Sequence, residues 1–97
     1  MTIPSAAPTV LLTVDDRTLA GHVALPLAPG TVAKAQQAAL DAALAGPLAD
    51  RAADLGAVVA APPHRCAKPL PGKDEEGRTR FAVRGRVEGG LLVPNRS

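Results

Sequence analysis

The segment from Arg78 to Glu88 carries the most distinctive charge pattern of this sequence. Successive side chains of a β-strand point to opposite faces, so the segment separates into an apolar face and a polar face. Phe81, Val83 and Val87 lie on the apolar face, together with Thr79 and Gly85. The polar face carries a row of arginines, which we take as the candidate binding residues: Arg78, Arg80, Arg84 and Arg86.

Three interpretations of the arginine row stay open from the sequence. The row is a solvated sheet face whose charges prevent edge-to-edge pairing, a protein interface in which guanidinium groups bind carboxylates, or a surface for nucleic-acid phosphates. Nucleic acid is the second choice to a protein partner, because Phe81, the only aromatic residue, is predicted to face the core. No helix-turn-helix, zinc-finger or RNA-recognition pattern accompanies the arginines.

A second set of reactive side chains consists of His22, His64 and Cys66. A structural zinc site needs four ligands, which this set does not supply, so we expect no metal. A catalytic thiol needs a base held in place by a third group. His64 and Cys66 lie in a proline-rich segment that is predicted to be a loop, so we expect no nucleophilic catalysis and no enzyme activity.

The glycine-rich phosphate-binding patterns of nucleotide enzymes are missing from this sequence. Gly30 and Thr31 precede a predicted helix, and helix capping by the Thr31 hydroxyl explains them without a ligand. The carboxylates lie in predicted turns or on the helix, outside the buried settings that shift a pKa. We therefore expect no cofactor.

Composition sets the scale of the protein. The 97 residues allow one domain. A single phenylalanine is the only aromatic residue, so the core must be built from aliphatic side chains. A thin core in a short chain favours burial against a partner or a second copy. The net charge of +2 is only mildly basic, and the single cysteine suits a reducing compartment. No segment has the length of a membrane span or the pattern of a signal peptide, so a cytoplasmic protein, or one assembled into a larger particle, is expected.

Apolar periodicity divides the chain into an extended arm, residues 1–8, and one domain, residues 9–94. Residues 9–14 and 18–25 alternate as the two strands of a hairpin. Residues 32–55 have helical spacing, and Gly46-Pro47 predicts a break into two helices, with a single kinked helix as the alternative. Gly56 suits the position after a helix end.

The second half of the chain is predicted to be mainly strand and loop. Residues 57–61 form a short strand, residues 62–77 a long proline-rich loop, and residues 78–88 the arginine strand, with a last short strand possible at 91–93. The order ββαββ predicts an α+β fold: a small, mostly antiparallel sheet with the helical layer on one face. We expect a small non-enzymatic module of a larger assembly, an adaptor, subunit or inhibitor, which binds a protein partner through the arginine-lined sheet face.

Overall fold

A computed structural model describes residues 7–95 of the chain, which form an α+β fold. One helix and six strands follow one another in the described residues, with a short 3-10 helix at Pro63–Cys66. The strands and the helix are β1 (Thr9–Asp15), β2 (Thr18–Leu25), α1 (Ala33–Asp54), β3 (Val58–Val59), β4 (Ala67–Lys73), β5 (Thr79–Glu88) and β6 (Leu91–Pro94). Of the predicted arm, residues 1–6 lie outside the described residues.

The six strands form one mixed sheet in the order β1-β2-β5-β6-β3, and β4 also pairs with β5. The predicted hairpin is present as β1 and β2. The predicted ββαββ order and antiparallel character are wrong in two respects. The sheet holds more strands than expected, and β3 runs parallel to β6. β6 lies between β5 and β3 in the sheet. The chain reverses direction after β5, so β6 is antiparallel to β5 and runs in the same direction as β3.

The helix α1 is continuous, so the predicted break at Gly46-Pro47 is wrong and the single-helix alternative holds. Proline removes a backbone donor and crowds the preceding turn. Glycine at position 46 removes the side chain that would meet the proline ring. Leu44 and Leu48, one helical turn apart on either side of this pair, are both fully buried. Their packing against the sheet holds the two halves of the helix in line.

The cap predicted for the start of α1 is wrong, whereas the cap predicted for its end is confirmed. The predicted cap at Thr31 is wrong, because Val32 is the residue before the helix and the Thr31 hydroxyl donates to the carbonyl of Ala28. At the other end Gly56 has a φ of 69° and donates to the carbonyl of Ala53, while Ala57 donates to that of Ala52. These two bonds satisfy the last carbonyls of the helix in the Schellman arrangement, as the glycine predicted.

The predicted loop at residues 62–77 is also wrong, because most of this segment is the 3-10 helix and β4. Pro69 and Pro71 suit β4 because, among the described strands, β4 pairs only with β5 and so needs no donors on its other edge. The pairing with β5 is irregular between Pro69 and Lys73. A proline-rich sequence therefore forms an edge strand here.

The core lies between α1 and one face of the sheet. Phe81 is 2% exposed and Val83 is fully buried, which confirms the predicted facing of β5. The remaining buried side chains come from the neighbouring strands and from one side of the helix: Leu19, Val23, Leu25, Leu40, Leu44, Leu48 and Leu92. The helix covers this inner face only, so the opposite, outer face of the sheet holds the arginines.

Candidate functional site

Arg78 stands at the entrance to β5 and is engaged by neighbouring groups. Its Nε donates to Asp74 Oδ2 at 2.8 Å and lies 3.3 Å from Glu76 Oε2. Its Nη1 donates to Thr9 Oγ1 at 2.6 Å. The side chain is 16% exposed. Arg78 therefore ties the β4–β5 turn to the start of β1, and little of its guanidinium faces solvent.

Arg80 and Arg86 are partly occupied as well. Arg80 donates from Nη2 to the carbonyl of Pro71 at 2.8 Å, across the irregular part of the β4–β5 pair. Arg86 forms an ion pair with Glu88 at 3.1 Å. The Nε atoms of both arginines are buried and have no hydrogen-bond partner within residues 7–95. Their guanidinium tips are fixed beside the outer face.

Arg84 differs from the other three arginines of the row. It is exposed, and within the described residues its side chain forms neither an ion pair nor a hydrogen bond, whereas Arg80 still donates to the carbonyl of Pro71. Its position in the sheet explains the difference. One edge of β5 is shared by two strands: β4 pairs as far as Val83, and β6 pairs from Gly85 onward. Arg84 lies in the gap between them.

This gap is the floor of a cleft of about 280 Å³ on the outer side of the molecule. Arg65 and Cys66 enter it from the end of the 3-10 helix, and Lys68 enters from the start of β4. Asn95, just after β6, lines the other side and donates its backbone N–H to the carbonyl of Arg84 at 3.3 Å. We call this site the basic cleft; it is lined by Arg65, Cys66, Lys68, Ala82, Arg84 and Asn95.

The basic cleft concentrates positive charge without a balancing acid. Arg65, Lys68 and Arg84 are all exposed, and within residues 7–95 none of them forms an ion pair. Cys66 is 5% exposed, and burial raises the pKa of its thiol, which therefore stays protonated at neutral pH. The chemistry offered is three cations and an amide around a small apolar floor, an arrangement that binds anions.

The other candidate residues of the sequence, His22, His64 and Cys66, have different surroundings in the described part of the chain. The carboxylate of Asp41 accepts from His64 twice: from the backbone N–H at 2.9 Å and from Nδ1 at the same distance. This contact fastens the 3-10 helix to α1. His22 is exposed on β2, and no hydrogen bond links either histidine to Cys66 in the described part of the chain. Residues 7–95 contain no group of three metal-ligating side chains.

Sequence reasoning missed Arg65 and Lys68 because it assigned both to a loop. The signal that could have found Lys68 is the spacing of Pro69 and Pro71, which is compatible with an extended edge strand. Successive residues of such a strand lie on opposite faces of the sheet. In the structure Lys68 pairs with Ala82, which neighbours Arg84 on the outer face. Of the arginine row, Arg84 thus joins a cluster that the fold assembles from three segments.

Comparisons of the chain with protein-family models, with curated proteins and with solved structures give no match. No helix within residues 7–95 combines the length and apolar character needed to cross a membrane.

Proposed function

We propose that this protein is a small non-enzymatic interaction module that binds an acidic segment of a partner protein on the outer face of its sheet. Arg65, Lys68 and Arg84 are the anchoring residues in this proposal, and Arg80 and Arg86 extend the positive surface along β5. A location in the cytoplasm, or in a larger particle, is part of the same proposal and rests on the single cysteine.

The observation that carries the proposal is the difference in pairing along the arginine row. Arg78 and Arg86 have carboxylate partners, whereas the three cations of the basic cleft have none within residues 7–95. Like charges held close together repel one another, so an unbalanced cluster costs stability unless an external anion neutralises it. A cluster of positive charges that the acidic residues of the described chain do not neutralise is therefore suited to binding an anionic ligand.

Shape favours a protein carboxylate as that ligand. The basic cleft is small, and its floor includes the apolar side chains of Ala82 and Cys66. Across the outer face, Ala20 and Ala24 on β2 lie beside Arg84 and Arg80. A bidentate guanidinium–carboxylate contact next to small apolar residues is typical of protein interfaces, in which arginine is enriched.

Nucleic acid is the second candidate, and the same unpaired cations favour it, since lysine and arginine side chains also neutralise phosphates. Single-stranded nucleic acid is usually held by aromatic side chains that stack on the bases. The only aromatic residue, Phe81, is buried on the inner face. This contrast supports an acidic protein segment as the first candidate ligand.

The proposal is tested with two labelled probes, a peptide of ten glutamates and a mixed-sequence single-stranded oligonucleotide. We expect the peptide to bind the full chain, and the double variant Lys68→Glu/Arg84→Glu to lower its affinity at least about tenfold, because repulsion replaces attraction at the cleft. Both residues are exposed, so the variant should keep a melting temperature close to that of the parent protein.

A matched control carries the same change of charge elsewhere. Lys34→Glu/Arg17→Glu replaces one lysine and one arginine, both exposed, on α1 and on the β1–β2 turn. We expect it to bind the peptide like the parent, apart from the general effect of net charge. Equal losses in the two double variants would exclude the basic cleft as the site. Binding of the oligonucleotide alone, with an affinity that falls steeply with salt, would establish the second candidate instead.

A further inference from the structure

The outer edge of β1 is the one long sheet edge that nothing protects in residues 7–95. β1 pairs with β2 and lies at the end of the sheet, so the backbone donors and acceptors of its free edge have no partner strand among the described residues. Free edges of this kind bind further strands. In natural proteins such edges are protected by proline residues, by charged side chains or by the short length of the edge strand.

The other edges of this sheet carry such blocks. β4 contains Pro69 and Pro71, and lysines lie at Lys68 and Lys73. β3, at the opposite end of the sheet, has only the two residues Val58–Val59. β1 has seven residues, without proline and without charge before Asp15, and its Leu11 is 63% exposed. The contrast singles out β1 as the edge left open for pairing.

We propose that β1 pairs with β1 of a second copy of this chain, antiparallel, so that the two sheets become one. A two-fold axis perpendicular to the sheet keeps the helices of both copies on one side, and it requires that paired residues face the same side. Of the registers that meet this condition, the one centred on Leu12 pairs all seven residues. It places Val10 opposite Val14, Leu11 opposite Thr13, and Thr9 opposite Asp15 of the second copy.

Charge complementarity supports this register and this occupant. Asp15 is exposed and has no ion-pair partner within the described residues. In the proposed register it meets Thr9 of the other copy, whose hydroxyl accepts from Arg78 Nη1 at 2.6 Å. Each Asp15 is thereby brought beside Thr9 and the Nη1 side of the Arg78 guanidinium of the other copy, whose Nε binds Asp74, and the contact occurs twice because of the symmetry.

The inner side of β1 also gains from the second copy. Val10, Leu12 and Val14 are only half buried against the core. Beside them a groove of about 240 Å³, lined in part by Val10, Leu12 and Pro47, lies open between β1 and α1. A second strand on this edge covers those apolar side chains, in keeping with a core that contains a single aromatic residue. The inference is independent of what the basic cleft binds.

Disulfide trapping tests the register directly, in a background in which Cys66→Ser removes the native thiol. Leu11→Cys and Thr13→Cys are made as two separate proteins, since both residues are exposed on the outer face. Directly opposed residues of antiparallel strands are within disulfide range, whereas residues offset by two along the strand are too far apart. We expect the mixture to form cross-linked dimers under mild oxidation and each protein alone to form few.

Sedimentation of the unmodified chain over a range of concentrations provides the second measurement. We expect a species of twice the 9.8 kDa chain mass at high concentration, and a dissociation constant raised at least tenfold by Asp15→Arg, which places two like charges together. A single species of 9.8 kDa at every concentration would overturn the proposal. So would a dimer that the Leu11 and Thr13 pair fails to trap, which would place the contact between the copies on another surface.

Discussion

Gly21 shows how a single residue fixes the shape of the sheet. It lies on β2 opposite Leu12 of β1 and Val83 of β5. A Cβ at this position would overlap the carbonyl oxygen of Leu11 and lie 2.8 Å from Cα of Leu12. Because both atoms belong to the backbone of β1, a side chain at position 21 would displace the strand itself.

We therefore expect Gly21→Ala to destabilise the protein by about 3 kcal/mol, the upper end of the usual cost of overpacking. Gly85→Ala is the matched control on β5, where the added Cβ would lie 3.1 Å from Cδ1 of Leu92 and 3.3 Å from the carbonyl oxygen of Val93, both much longer than the contact at Gly21. A leucine side chain can move aside, so a loss of about 1 kcal/mol is expected there. Urea unfolding of both variants measures the difference, and equal midpoints would contradict the close approach of β1 to Gly21.

At the level of residues, the sequence predicts which face of a strand a side chain lies on. It does not predict contacts between side chains that are far apart in the sequence. The inward facing of Phe81 and Val83 follows from period two alone and is confirmed. Arg78 is engaged by Thr9, far away in sequence, and Arg84 has no ion-pair partner within residues 7–95; both facts depend on which strands flank β5. No local pattern carries that information. The binding role of the arginine row stays a prediction.

The turn between β4 and β5 is organised by Asp74. Its Oδ1 accepts from the backbone N–H groups of Glu76 at 3.0 Å and Arg78 at 2.8 Å, and its Oδ2 accepts from Arg78 Nε. The backbone donor of Arg78 is the main reason why the pKa of this carboxyl falls below its ordinary value of 3.8, and the Arg78 side chain and the Glu76 N–H act in the same direction. The folded state thus binds a proton at Asp74 less readily than the unfolded state.

The sign of the pH effect follows from this lowered pKa. A depressed carboxyl pKa stabilises the protein above the ordinary value, and that contribution is lost as the pH falls through the folded pKa. We expect the stability advantage of the parent protein over Asp74→Asn to be full near neutral pH and to shrink below about pH 4. Urea midpoints of both proteins, measured from neutral to strongly acidic pH, give the comparison. An advantage that is independent of pH would mean that the charge of Asp74 does not contribute.

At the level of elements, hydrophobic spacing predicted the hairpin and the helical segment, while proline led to two errors. Pro47 does not end α1, because Leu44 and Leu48 gain more from burial against the sheet than the helix loses at the proline. Pro69 and Pro71 do not prevent β4, because an edge strand has one side without hydrogen-bond partners. Proline excludes a conformation only where its missing donor is needed, and tertiary position decides that.

Whole-molecule organisation could be inferred only as far as the α+β class. The sheet order depends on β6 entering between β5 and β3, which joins segments far apart in the chain by a parallel pair. Such long-range pairing has no signal in local composition. The basic cleft has the same origin, since it is the gap that β4 and β6 leave on one edge of β5.

The two proposals together define a larger surface. Joined through β1, the two copies would present both outer faces on the same side. The two β5 strands would be separated by five strand spacings, roughly 24 Å. The two basic clefts, which lie on the far side of each β5 and so are at least that far apart, suit a partner with two acidic segments, or a partner that is itself two-fold symmetric, and would bind it with greater avidity than one cleft alone.

The position of β5 also governs how slowly parts of the chain open. β5 pairs with β2 along one edge and with β4 and β6 along the other, so it is the only described strand with three neighbours. Its amide protons should exchange with deuterated water only when the whole protein unfolds, and those of β4, at the edge, should exchange by local opening. Exchange rates measured residue by residue by NMR give this order. The exchange rates of the β1 amide protons would also report on dimer formation, because their exchange should slow as the protein concentration rises.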